Sequence, residues 1–257
     1  MITKLLGLPV LASEHGAQVD SFIFYVHFIM GLLFVGWTAY FLYCLFRFRK
    51  SKNPRASYIG VKTHASSYIE IAVVVAEAVL LIGFAIPLWA KVVDKLPPDQ
   101  ESTVVRIMAQ QFQWNIRYPG ANGVFGRQDP QFVSSTNIWG IDPADAAGKD
   151  DVIPKAVNVM YVPVNKPVIA HISSMDVVHS FKVNPLRITQ DAIPGLMIPT
   201  WFRPTLEGQY LINCAQLCGN SHYAMKGFLY VVSQAKFDEW MKENGTVGSA
   251  PAAGAFE

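Results

Sequence analysis

The chain has 257 residues, a formal net charge of +2, 51% hydrophobic residues and only 16% charged ones. That length admits one or two domains. The charge balance leaves no basic footprint for nucleic acid, and no Rossmann or P-loop glycine pattern is present. High apolar content with sparse charge points instead to a membrane protein.

In chain order, a short apolar patch from Leu5 to Ala12 follows Lys4 and reads as an N-terminal extension, being short for a cleaved signal. From Phe22 to Phe46 there is no acidic residue, lysine or arginine. As a helix this stretch is long enough to cross a bilayer core of about 30 Å. A second span, Ile71 to Ala90, is interrupted only by Glu77 and ends near Pro87 and Lys91. Between the two lie Arg47, Arg49, Lys50, Lys52, Arg55 and Lys62, with no acid before Glu70 at the edge of the second span. The positive-inside rule places this short loop in the cytoplasm and both termini on the other side, the periplasm of a bacterium with the hairpin in its inner membrane. Cys44, at the cytoplasmic end of the first span, reads as a small apolar packing residue. Glu70 and Glu77 are seven apart, so on a helix they share one face about 10.5 Å apart along the axis. An ionisable residue in an apolar span is costly, which makes both of them functional candidates.

After Pro97-Pro98 the pattern changes to period two. Strands are predicted over Thr103–Ala109, Val157–Val164, Val168–Ile172, Gln209–Asn213 and Gly227–Ser233, punctuated by Pro163, Pro167, Pro194-Gly195, Pro204 and Gly208. Many short strands with such turns argue for a sandwich or barrel. The expected division is therefore 1–96, an extension plus a helix hairpin, and 97–257, a β-domain with appendages. The Gly-, Asp- and Pro-rich stretch from Gly120 to Pro154 is too long for an ordinary connection and is expected to be functional or mobile. Ser233 caps a final amphipathic helix with Phe237, Trp240 and Met241 on one face and Gly245 as its stop. Residues 246–257 are Gly/Ala-rich and read as disordered. His15 and His64 lie in the N-terminal stretch and the basic loop. His27 is expected to pack against a neighbour, and His171 to be a structural residue in mid-strand.

The chemistry is concentrated in Cys214-Ala-Gln-Leu-Cys218-Gly-Asn-Ser-His222-Tyr-Ala-Met225, with His179 upstream in Ser174-Met-Asp-Val-Val-His-Ser-Phe181. Two thiols, two imidazoles and a thioether form a soft donor set that favours copper. Zinc accepts two Cys and two His but seldom Met. A disulfide is the third option for two Cys outside the cytoplasm. On donor type all three stay open.

Together with Gln190-Asp-Ala-Ile-Pro-Gly195 and Thr200-Trp-Phe-Arg-Pro-Thr205, these segments resemble subunit II of haem–copper cytochrome oxidases along most of the chain. The resemblance implies a cupredoxin-like Greek-key barrel behind a two-helix transmembrane hairpin. It also implies a dinuclear copper centre, CuA, held by His179, Cys214, Cys218, His222, Met225 and the backbone carbonyl of Gln216. The implied function is electron uptake from a c-type cytochrome and delivery to haem in subunit I, where dioxygen is reduced to water with proton transfer. Subunit I, subunit III, the donor cytochrome and the lipid membrane are the implied partners.

Three departures stand out, beside matches at Asp176, Asp191 and Glu70. Related chains often carry Gln-Trp-x-Trp ahead of the barrel, whereas this one has Gln111-Phe-Gln-Trp114, placing Phe112, followed by Trp114, where electrons arrive. Asp176 and Asp191 match docking acids, and few others surround that run. Gln216 replaces a Glu whose side chain also binds an interface magnesium; a neutral amide is a poorer ligand for a hard dication, which puts the magnesium in question. Leu196 replaces an Arg after the Pro194-Gly195 turn. Glu70 matches the carboxylate at the mouth of a proton channel, and Glu77 would extend that path. The competing readings are a membrane-tethered copper shuttle or carrier without an oxidase, and a structural subunit with zinc or a disulfide.

Overall fold

The structure, a computed structural model, describes residues 6–56, 58–60 and 62–249. Lys4, Leu5 and the last eight residues of the Gly/Ala-rich tail lie outside the described residues. The chain divides into a helical unit that includes Ala17–Lys91 and a β unit made of Pro9–Gly16 and the chain from Val92 onward.

In the helical unit, α1 (Gly16–Arg47) is followed by α2 (Ala65–Leu80), which runs through a wide π turn (Leu81–Ala85) into α3 (Ile86–Val93). The π turn has a local cause. Pro87 has no N–H to give the carbonyl four residues back, at Gly83, and a one-residue expansion of the preceding turn absorbs the mismatch. The two continuous helical stretches, 32 and 29 residues long, are each long and apolar enough to cross a membrane. Phe28, Phe34, Trp37 and Phe41 project outward from α1 and are exposed. A helix apolar on all sides requires a non-aqueous surround or partner helices. His27 does not pack as expected: its Nδ1 lies 2.7 Å from the Ile23 carbonyl of its own helix.

Among the described residues, the β unit holds nine strands: β1 (Thr103–Gln110), β2 (Gln113–Arg117), β3 (Val159–Pro163), β4 (Val168–Ser174), β5 (His179–Val183), β6 (Ile188–Ala192), β7 (Ile198–Phe202), β8 (Gly208–Cys214) and β9 (Lys226–Val232). They form a four-stranded sheet in the order β2-β1-β4-β7 and a five-stranded sheet in the order β3-β9-β8-β5-β6. The β1–β4 and β3–β9 pairs are parallel and the others antiparallel. This is the two-sheet, cupredoxin-like barrel. Alternation in β1 sends Val105, Ile107 and Ala109 into the core, where they meet Trp114, Ile172, Phe181, Ile212 and Leu229. Burying each such large apolar side chain contributes about 1.5–3 kcal/mol.

Strands β2, β5, β6 and β7 add to the predicted set. β5 and β6 have five residues each and carry polar side chains, which hides the alternation. β7 contains Pro199, which the sheet tolerates because β7 is an edge strand.

The Gly120–Pro154 stretch is ordered around a buried ion pair. The Arg117 guanidinium meets Asp151, both side chains fully enclosed. The same Asp151 oxygen accepts the Gly126 N–H (3.0 Å), and Arg117 Nη2 donates to the Gly126 carbonyl (2.9 Å). Asp145 caps the one-turn helix α4 (Ala146–Lys149). Helix α5 (Gln234–Asn244) starts at Ser233, whose hydroxyl accepts the Lys236 N–H, and stops at Gly245 with φ 69°. Its Trp240 stacks on Tyr161 at 4.5 Å. Contrary to the expectation of disorder, the start of the tail is docked: the Val247 N–H donates to the Asp151 carbonyl at 2.8 Å. The extension also packs, with Ala12 fully buried and Ser13 Oγ donating to the Leu186 carbonyl at 2.6 Å.

Candidate metal centre

Three strand ends bring the donors together. β5 begins at His179, β8 ends at Cys214, and β9 follows Met225, with a turn of 3-10 helix over His222–Ala224 between β8 and β9. Because Phe181 pairs with Cys214 across β5 and β8, the imidazole and the first thiol face the same space. The line of donors is continuous. His179 Nδ1 lies 3.9 Å from Cys214 Sγ, and Cys214 Sγ 3.8 Å from Cys218 Sγ. Cys218 Sγ in turn lies 3.6 Å from His222 Nδ1 and 3.8 Å from Met225 Sδ. The Gln216 carbonyl sits 3.1 Å from Cys214 Sγ. His179, Cys214 and Cys218 alone place their ligand atoms within 4.8 Å of one another.

The thiols are free, and their separation is far beyond the roughly 2.05 Å of a disulfide. Two metal–thiolate bonds of about 2.3 Å, the zinc value, bridge such a gap with a bend. The residues therefore fit a metal, and the added thioether and paired imidazoles make copper the better match. Burial, then the neighbouring Cys214 thiol, pushes the Cys218 thiol up to about 11, so a metal must displace its proton to bind.

The structure also shows what aims His179. Its Nε2 lies 2.8 Å from Asp176 Oδ1, so the carboxylate accepts the Nε2–H hydrogen bond and leaves the Nδ1 lone pair turned to the sulfurs. Burial raises the Asp176 pKa, but hydrogen bonds from the Gln111 N–H, the His179 ring and the Val177 N–H outweigh it, and the carboxyl titrates below its ordinary range. The Trp114 ring stands edge-on to His179 at 6.3 Å and is fully buried. Phe112 is half-buried, its ring against Gly219. Gly219 has φ 137°, and a Cβ there would fall 3.0 Å from Phe112 Cζ, so both backbone and space require glycine.

Other sequence candidates lie elsewhere. Asp191 is exposed on β6, opposite Ser180. Glu70 and Glu77 are both on α2; Glu70 lines a cavity of about 540 Å³ with Trp37, Tyr40 and Ser66. Sequence reasoning missed that Asp176 orients His179 and that Gln111 contacts the ligand loop. Asp176 carried a signal in its three-residue spacing ahead of His179. Gln111, more than a hundred residues from the loop, carried none.

A family model described as cytochrome c oxidase subunit II, periplasmic domain, matches residues 103–232. The alternative cytochrome c oxidase subunit 2 of Bradyrhizobium diazoefficiens is 31% identical over 89% of this chain and 80% of its own. A cytochrome c oxidase subunit 2 of Cereibacter sphaeroides is 26% identical over 92% of this chain and 79% of its own. Among solved structures, the periplasmic domain of subunit II of cytochrome oxidase from Bradyrhizobium japonicum shares 26% identity over 58% of this chain and 96% of that one, with a TM-score of 0.43. The match spans all nine strands and the Cys/His cluster, and it follows two apolar helices that anchor the protein in a membrane with the β unit as its periplasmic domain. The chain belongs to the cytochrome c oxidase subunit II family.

Proposed function

We propose that this chain receives electrons for a terminal cytochrome c oxidase at a dinuclear copper centre. One observation supports this most: a single line of donors, His179, Cys214, Cys218, then His222 and Met225, with steps of 3.6–3.9 Å. Two thiols in the middle of such a line, each flanked by an imidazole, are the arrangement two bridged ions need. When bound, a thiolate-bridged copper pair supplies a one-electron carrier whose ligand bonds change little between its two states.

The chain's own residues do the rest. Cys214, Cys218, His179 and His222 would hold the copper, and Met225 and the Gln216 carbonyl would be weaker donors able to tune its potential. Asp176 fixes the His179 ring, and strand ends hold the donors in place through the redox cycle. His179, Cys218 and Met225 are buried, which keeps water from the ligands. Around them Met175, Val177, Val178, Leu217 and Tyr223 are exposed, an apolar surface suited to docking. Electrons arrive from a c-type cytochrome at Phe112, the half-buried aromatic beside the ligand loop. Trp114, enclosed behind His179, acts from within. They leave for the haem of subunit I, with subunit III completing the core. Glu70, facing a cavity on α2, takes up protons and Glu77 extends the path; Gln216 leaves any interface magnesium without a side-chain carboxylate. Residues 1–96 form the extension and membrane hairpin and 97–257 the copper domain, with both termini in the periplasm of a bacterial inner membrane.

Copper analysis and electron paramagnetic resonance of the purified full-length chain test this. The expected result is two copper ions per chain sharing one unpaired electron. A single copper with a mononuclear signal would replace this reading with the copper-shuttle one.

A further inference from the structure

Two loops frame the donors: residues 175–178, which lead into His179 at the start of β5, and residues 215–225, which follow Cys214 at the end of β8 and run to β9. At their bases the loops are joined by the sheet, where the Ala215 N–H donates to the Ser180 carbonyl at 2.9 Å. Their tips extend past the last rung of that ladder. Gln111, in the two-residue turn between β1 and β2, reaches both tips. Its main-chain N–H donates to Asp176 Oδ2 at 2.7 Å, and its side-chain Nε2 donates to the Cys218 carbonyl at 2.7 Å. The other oxygen of Asp176 holds His179 Nε2 at 2.8 Å. A hydrogen-bonded path thus runs from the His179 ring through Asp176 and Gln111 to the Cys218 peptide without using any metal-facing atom.

Gly219 makes the approach feasible. A Cβ there would stand 2.7 Å from Gln111 Nε2, so only a glycine after Cys218 lets the amide close on its carbonyl. Phe112, next in sequence, covers the other side of Gly219.

We propose that Gln111 is a positioning residue: its side-chain amide clasps the Cys218 peptide to Asp176 and so sets the separation of His179 from the bridging thiols. The proposal rests on the copper reading for its purpose but not for its geometry. The main-chain bond to Asp176 does not depend on the side chain of a non-proline residue, so Gln111→Leu removes only the amide arm. In the full-length chain in detergent, Gln111→Leu should release copper to an added chelator about fivefold faster, the equivalent of one net hydrogen bond. It should also change the copper hyperfine pattern. In the copper-free chain, deuterium uptake should rise over residues 215–222 and stay unchanged in β1 and β4. Gly219→Ala, which pushes the amide away from the other side, should reproduce the faster release and the local uptake.

Wild-type release with unchanged loop uptake in Gln111→Leu would overturn the clasp. So would a uniform rise in uptake across both sheets, which marks general loosening. If the wild-type chain itself binds a single ion, the dinuclear reading falls, while the uptake comparison on copper-free protein still decides the clasp.

Discussion

Asp176 looks in the sequence like a surface charge for docking, and in the structure both its oxygens are engaged, one with His179 and one with the Gln111 N–H. Replacing it by alanine leaves the Nε2–H of a buried imidazole without an acceptor and frees the ring to turn. Outer partners of metal-bound histidines are typically worth 10–100-fold in affinity, so Asp176→Ala should weaken copper binding by about that factor in a chelator competition. Unchanged affinity would return Asp176 to a docking role. Two other histidines contribute to acid sensitivity. Burial, then Arg106, holds the His171 pKa below its ordinary 6.5 against the pull of Asp99. Burial likewise lowers His15, against a backbone hydrogen bond and Glu14. In both, the unfolded chain binds the proton more readily than the folded one. Stability is therefore undiminished above pH 6.5 and declines as pH falls through the window below it. Thermal unfolding of the β unit in the full chain should show that decline, and His171→Gln should flatten it; parallel slopes for the two proteins would refute the assignment.

At the scale of elements, the segment between β2 and β3 is held by the Arg117–Asp151 pair, which also touches Gly126 and, through the Asp151 carbonyl, Val247. Burial lowers the Arg117 pKa and the Asp151 carboxylate opposes that shift. Asp151→Ala strands a buried guanidinium, which costs about 3–5 kcal/mol. The expected result is a lowered unfolding midpoint together with protease cutting within residues 120–150. A midpoint within error of wild type would show that the pair is dispensable. This element marks the limit of what could be read from the chain alone. The membrane spans and five of the strands were legible because each follows from local pattern, uninterrupted apolar length or period-two alternation, and the soft donors Cys214 to Met225 were visible as a group along one loop. The ion pair was not, since Arg117 and Asp151 are separated by a run of Gly, Asp and Pro that reads as flexible. β5 was hidden because it is only five residues long, four of them buried, and opens on a histidine. β7 was hidden by Pro199, which marks it as an edge only once its neighbour β4 is known. The 3.9 Å between His179 and Cys214 could not be foreseen either, because it depends on β5 pairing with β8.

For the whole molecule, charge is close to balanced at +2. Of the two acids read as docking charges, both are exposed, but Asp176 is also hydrogen-bonded to His179 and the Gln111 N–H, whereas Asp191 stands on β6. Electrostatic steering sets association rates more than affinity. Reduction by a basic c-type cytochrome should therefore slow by less than about tenfold between low and high salt in stopped-flow measurements. A steeper fall would point to an acidic surface outside those two residues. A final consequence follows from the extension that packs on the β unit ahead of α1. Besides the buried Ala12, the Ala12 N–H donates to the Pro185 carbonyl (2.9 Å), the Glu14 N–H to Arg203 (3.1 Å) and the Thr205 N–H to Ala12 (2.8 Å). The barrel is thus gripped by chain that lies before the first membrane helix as well as joined to chain that lies after the last. A nick near Lys95, between α3 and β1, should yield two fragments on a denaturing gel that still migrate as one particle in native detergent chromatography, with the barrel kept at the membrane by its own leader.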